Sequence, residues 1–421
     1  MTKYTQISPA IHLISQNIDR KKVKIDITFT SGGSWFENDG DYGKLHLVEH
    51  CIASRTKKMS FQQLKDYEFR QNIYLNAFTG RVTMGLDGSG HISDFDSLSS
   101  NLLEMAFEPT FEQTILDKEK EIVLREISQR RGDPSYQVYF DTVKQLYTPD
   151  SLEIKEPLGD AQMVATTTLE DFYRLHANSL RKSHVIICAS GDFDESLLQD
   201  KIAAFLSNNS ELSLHGDNRN RVDYTPQNTL QPFDFRPIVH PLGHDHVELS
   251  IFIPCLVNFE NIPIRHIFRS LFLDHNGVLY DRLREELQLV YSLQSEFSFD
   301  TQHLQLYLSC EIKYVKQIVD EVKNILSNFD KYFKPERFEQ FKDMITKKQD
   351  LAADVLGAET SFTENMLSTY GIPELYGSYT KRLEGVEVVE IDSLYQELCL
   401  SLNSLQVSAV SKDPKIQEIV L

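Results

Sequence analysis

The order strand, helix, strand, helix runs through this chain twice, and a polar stretch separates the two runs. In the first run, residues 23–29 (VKIDITF) alternate apolar and polar, the period-two mark of a strand. Residues 44–54 have helical spacing, 82–86 are strand-like, and 98–107 and 114–130 are helical again. Residues 184–189 (HVIICA) read as a buried strand closed by Gly191. Residues 207–237 are rich in Asn, Ser, Asp, Gln and Pro, lack apolar periodicity and read as a linker. The second run begins with an alternating strand at 247–253 (VELSIFI). Helical stretches near 264–273 and 277–286, strands at 291–299 and 304–312, and helices at 315–329 and 335–353 follow. The recurrence implies a diverged internal duplication. The strands are half-apolar, which favours an α+β fold over a doubly wound parallel sheet. The expected architecture is two homologous domains, each a mostly antiparallel sheet with helices packed on one face. Its boundaries are 1–206, a linker at 207–237, and 238–421.

The charge narrows the partners. Lys and Arg number 43 against 62 Asp and Glu, a net charge of −19. A phosphate backbone needs clustered cations, so nucleic acid is not an expected partner. An acidic chain attracts basic partners, or is simply soluble. The five cysteines (Cys51, Cys188, Cys255, Cys310 and Cys399) are dispersed and form no CxxC pair. That fits a reducing compartment better than a disulfide framework. The first fifteen residues lack the apolar core of a signal peptide, and no run of about 18 apolar residues offers a membrane span. The expectation is a cytoplasmic protein with no membrane association.

The chemistry concentrates in LHLVEHC at 45–51. His46, Glu49 and His50 stand at i, i+3 and i+4, so a helix puts them on one face. Two imidazoles one turn apart can share one metal ion, usually Zn²⁺. The glutamate between them can take a proton from a metal-bound water. This HxxEH order reverses the commoner HExxH. The competing reading is a solvated helix face with incidental histidines.

A hydrolytic site needs a third protein ligand and one open position. The segment KEKEIVLREISQR at 118–130 offers it. Glu119 and Glu126 are seven apart and nearly eclipse each other on a helix, within a stripe of Ile115, Ile122 and Val123. Carboxylates in an apolar stripe are costly unless a cation compensates. A metal would do so for Glu126, with Glu119 behind it orienting a ligand or water. The alternative is an exposed charged face, which Lys118, Lys120, Glu121 and Arg125 would also produce.

These motifs resemble the pitrilysin/insulinase-type metallopeptidases, the inverted-zinc-motif family that includes the mitochondrial processing peptidase. That family has HxxEH followed about 75 residues later by a ligand glutamate, and here Glu126 lies 76 residues after His50. EKEIVLRE at 119–126 is similar to the processing-peptidase subgroup. GGSWFE at 32–37 resembles the segment before the zinc helix. NAFT at 76–79 resembles the edge strand that binds substrate, which implies that role for Asn76 and Ala77. In LREELQLVYS at 283–292, Arg284 and Tyr291 match a family pair that reaches the substrate. A cation and a phenol can both donate to an oxyanion. Otherwise Arg284 would read as a surface ion-pair partner and Tyr291 as a packed strand residue. IASRT at 52–56 departs from the family's usual stretch after the zinc helix, and Leu45 replaces a small residue.

The resemblance implies a zinc-dependent endopeptidase with one Zn²⁺ per chain, held by His46, His50 and Glu126. Glu49 would activate the zinc-bound water. The chain has half the length of single-chain members, which implies a chamber closed by two chains. A homodimer fits, because both the zinc motif and the Arg/Tyr pair are present; a heterodimer with a related chain is the other arrangement. The expected substrates are short or unfolded polypeptides, basic ones preferred. The alternative function is a non-catalytic peptide-binding or structural subunit of a related heterodimer. His244 and His246 would share a strand face, where a polar strand start competes with a second metal site.

Overall fold

The computed structural model describes residues 2–208 and 230–421, so part of the expected linker, 209–229, lies outside the described residues. The first sheet contains β1 (Thr2–Ser8), β2 (Ile11–Asn17), β3 (Lys22–Phe29), β4 (Tyr74–Thr79), β5 (Met84–His91) and β6 (Val185–Gly191), in the spatial order β1-β2-β6-β3-β5-β4. The second contains β7 (Phe235–Val239), β8 (Val247–Pro254), β9 (Val290–Ser298), β10 (His303–Cys310) and β11 (Gln406–Ser411), ordered β7-β11-β8-β10-β9. Leaving out β1, the two orders are the same permutation of chain order. In each, the first and last of the five strands pair in parallel and every other neighbour pairs antiparallel. The duplication read from the sequence is thus a topological fact.

Each sheet buries one face against most of its helices. On β3, Val23, Ile25, Ile27 and Phe29 point into a core with Leu98 and Leu102 of helix Phe95–Phe107 and Val123 of helix Gln113–Gly132. In the second sheet, Leu249, Ile251 and Ile253 of β8 are buried. A stack of Phe268, Phe272, Phe329 and Phe333 fills the layer behind, with the Phe329 and Phe333 rings 5.0 Å apart.

The other face of each sheet also carries a helix. Helix Ala358–Tyr370 lies across β2 and β6, where Thr28 donates to Glu364 and Ser190 meets Thr360 at 3.1 Å. Helix Pro134–Leu146 places Val143 and Leu146 against Ile238, Phe252 and Val410 of the second sheet. The polar positions of the β3 alternation are therefore covered by a helix with matching polar groups. Because these two helices pack away from their chain neighbours, the segments of the two compact units alternate along the chain. One comprises 1–130, 155–224 and 352–376, and the other 131–154, 225–351 and 377–421. That division differs from the sequential boundaries 1–206 and 238–421 at both helices.

Other local differences have local causes. β1 and β2 were not legible, because Thr2–Ser8 is mixed in polarity and its β2 partner buries polar His12, Ser15 and Gln16 beside Leu13 and Ile14. The helix expected at 277–286 is a short turn, Val278–Tyr280, that widens into a π-helical segment, Asp281–Glu286. Leu287 N–H reaches back to the Arg282 carbonyl at 3.1 Å, and buried Leu283 and Leu289 anchor the turn into β9. Among the described residues, no helix is long and apolar enough to cross a membrane.

Candidate metal centre

Helix Lys44–Ile52 buries Leu45, Leu47, Val48, Cys51 and Ile52. His46, Glu49 and His50 remain on the opposite face, each about 15% exposed in its side chain (15%, 15% and 17%). Helix Gln113–Gly132 anchors itself through Leu116, Val123 and Ile127, which turns Glu119 and Glu126 toward the histidines. His46 Nε2 lies 3.8 Å and His50 Nε2 3.5 Å from the same Glu126 oxygen. The two imidazoles meet edge to face, centroids 4.9 Å apart. Three donors about 2 Å from one tetrahedral ion stand roughly 3.3 Å from each other, so this set needs little adjustment to hold one cation. Two imidazole nitrogens and one carboxylate oxygen suit Zn²⁺ and leave a fourth position open.

The groups behind the donors favour the same use. Glu119 Oε2 lies 3.2 Å from His50 Nδ1, which places the proton there and leaves a lone pair on Nε2. Burial, with help from His50, pushes His46 down to about 4, so its imidazole is neutral and able to ligate at neutral pH. Its buried Nδ1 has no hydrogen-bond partner among the described residues. Glu49 lies 3.8 Å from His46 Nε2. Burial pushes its carboxyl up to about 7, and Glu126 and Glu119 add to the rise against the pull of His50. That is the range of a useful general base. Cys51, next to His50, is buried in the core and points off this face.

Sequence reasoning missed the residue that anchors this helix. Glu37 is buried, and its carboxylate accepts from Gly43 N–H at 2.8 Å and Leu45 N–H at 2.7 Å, at the helix N-terminus. Gly43 must adopt φ of +93°, and a Cβ there would come within 2.7 Å of the Gly159 backbone. Lys44 is held by Asp41 at 3.2 Å and Asp171 at 3.4 Å, and Arg174 grips Asp41 through two hydrogen bonds of 2.9 and 2.7 Å. The acid closing GGSWFE, six residues before a glycine, was the available signal. Glu37→Ala should cost about 1–3 kcal/mol, from the lost cap and an unpaired buried N–H. It should also weaken zinc binding at the neighbouring histidines. Thermal melts with and without zinc check this, and melts matching the wild type would remove the role.

Asn76 and Ala77 lie on β4, the edge of the first sheet and a packing neighbour of the HxxEH helix. Asn76 is exposed and donates to Asp87 at 3.0 Å. In the second unit, Arg284 Nη1 donates to the carbonyls of Val290 at 2.6 Å and Tyr291 at 2.7 Å. Glu286 and Glu321 pair with Arg282 instead, at 2.8 and 3.2 Å. Tyr291 is 56% exposed, and its hydroxyl reaches Glu311 at 3.4 Å. The structure thus brings together His46, Glu49, His50, Glu119 and Glu126 in one unit, and Arg284 with Tyr291 in the other.

The family profile described as Insulinase (Peptidase family M16) matches residues 12–148, which hold the whole histidine–glutamate cluster. The profile described as Peptidase M16 inactive domain matches residues 166–345, which hold Arg284 and Tyr291. The chain belongs to this insulinase-type peptidase family, whose members are mostly zinc metallopeptidases. An uncharacterized zinc protease of Rickettsia bellii is 19% identical over 85% of this chain and 84% of its own. A probable mitochondrial-processing peptidase subunit beta of Arabidopsis thaliana is 24% identical over 45% of this chain and 36% of its own. The periplasmic protease PqqL of Escherichia coli shares the fold with a TM-score of 0.74 at 16% identity, over 100% of this chain and 48% of that one.

Proposed function

We propose that this chain is a zinc-dependent endopeptidase acting on short or unfolded polypeptides. The observation that carries the reading is the convergence of His46, His50 and Glu126 with Glu49 beside them. His46, His50 and Glu126 would hold one Zn²⁺, with Glu119 orienting His50. The ion, when bound, supplies Lewis-acid polarisation of water and of the peptide carbonyl. Glu49 takes the proton from the attacking water and delivers it to the leaving amine. The outer edge of β4, at Asn76 and Ala77, pairs with extended peptide backbone. Arg284 and Tyr291 hold substrate and donate to the developing oxyanion.

The chain spans about half of the Escherichia coli protease, which supports a working unit of two chains around a chamber. Each chain carries both the cluster and the Arg/Tyr pair, which favours a homodimer. The free cysteines, four of them buried, support a reducing, cytoplasmic setting. Incubating the purified chain with mixed unstructured peptides, read by mass spectrometry, tests the activity. Cleavage that a chelator abolishes is the expected result. No cleavage by zinc-loaded protein would favour a non-catalytic subunit instead.

The net charge of −19 makes an acidic chamber the natural expectation. Basic peptides should be cut faster than matched acidic ones at low salt, and the gap should close as ionic strength rises. Equal rates at low salt would refute it.

A further inference from the structure

We propose that the second compact unit carries its own site for a divalent transition metal, formed by His244, His246 and Glu248. His244 and His246 lie in the bent segment just before β8 and Glu248 on its second residue, and the bend brings the three side chains together. The two imidazoles stack with centroids 4.6 Å apart and planes 8° apart. His246 Nε2 lies 2.6 Å from Glu248 Oε1. One ligand atom from each residue lies within 4.8 Å of the others.

The arrangement is held by the backbone around it. The His244 carbonyl accepts from Lys412 N–H at 3.0 Å and from Ser411 Oγ at 3.1 Å, both at the end of β11. Gly243 allows this close passage, since a Cβ there would sit 3.1 Å from the Lys412 nitrogen. Glu248 pairs in register with Ser309 of β10, whose hydroxyl donates to it at 3.5 Å. Donors positioned in advance lower the ordering cost of binding. Two nearby lysines are already engaged, Lys412 by Asp245 at 3.0 Å and Lys313 by Glu311 at 2.7 Å. The hydrogen bond between His246 and Glu248 is the contact a cation would replace.

Two imidazole nitrogens and a carboxylate select Zn²⁺, Cu²⁺ or Ni²⁺ over Ca²⁺ and Mg²⁺, which prefer all-oxygen shells. Water would complete the coordination, because His244 and Glu248 are exposed. The site should therefore bind more weakly than the half-buried first cluster.

Equilibrium dialysis of the full chain against graded free zinc, with metal per chain read by elemental mass spectrometry, tests this. The wild type should fill in two steps to two ions per chain. His244→Ala and His246→Ala should each lose the weaker step, and His50→Ala the tighter one. On the His50→Ala chain, Cu²⁺ should give an EPR spectrum with nitrogen couplings that disappear when His246→Ala is added. A wild type saturating at one ion that only His50→Ala removes would overturn the proposal. So would both surface variants retaining two ions. A single ion lost in His246→Ala but kept in His50→Ala would uphold this site and count against the peptidase reading.

Discussion

Glu49→Gln should leave zinc bound and reduce kcat by about 10²–10⁴-fold, the usual contribution of a positioned general base. Gln keeps the size and polarity of Glu49, and His46, His50 and Glu126 are untouched, so the metal content should not change. What disappears is the carboxylate that accepts the proton, 3.8 Å from His46 Nε2. The same group sets the acid limb of the pH profile. Without a cation, burial holds Glu49 at about 7. A bound cation favours the carboxylate and pulls that value down. The rate should therefore fall as pH drops through a midpoint below 7, because the protonated acid cannot serve as base. Single-turnover rates for both proteins across pH, beside their zinc content, provide the check. A variant within tenfold of the wild type at neutral pH would mean Glu49 is not the base.

Removing the metal should have two separable effects. Hydrolysis should stop, and the melting temperature should fall, because a ligand that binds only the folded state stabilises it. At free zinc about 100 times Kd, that linkage is about 2.7 kcal/mol. Glu126→Ala should reproduce both effects without a chelator, since it removes the oxygen both imidazoles face, at 3.8 and 3.5 Å. Readdition of zinc should restore the chelated wild type but not the variant. A chelated protein that keeps its rate would overturn the metal's part in the reaction. A variant that melts with the metal-loaded wild type would remove Glu126 from the ligand set.

Much of the centre was legible because helical spacing is local. HxxEH on an amphipathic segment can place its three side chains on only one face, and the eclipsed Glu119 and Glu126 follow from the same period. The duplication was legible because strand and helix periods survive divergence. Glu37 was not, since its role depends on a turn that brings a buried acid back onto Gly43 and Leu45 N–H. Nor was the cover over the polar face of β3, because Glu364 lies 336 residues from Thr28.

From the chain alone came the local geometry: which residues share a face, which segments alternate, and the sign of the overall charge. Those properties depend on neighbours a few residues apart. Tertiary structure alone decided that Glu126 approaches both Nε2 atoms, that burial pushes Glu49 up to about 7, and that helix Pro134–Leu146 packs on the second sheet and helix Ala358–Tyr370 on the first. Each of these requires closing a long loop, and the entropy of closure is offset by burial of the whole core rather than by any local motif.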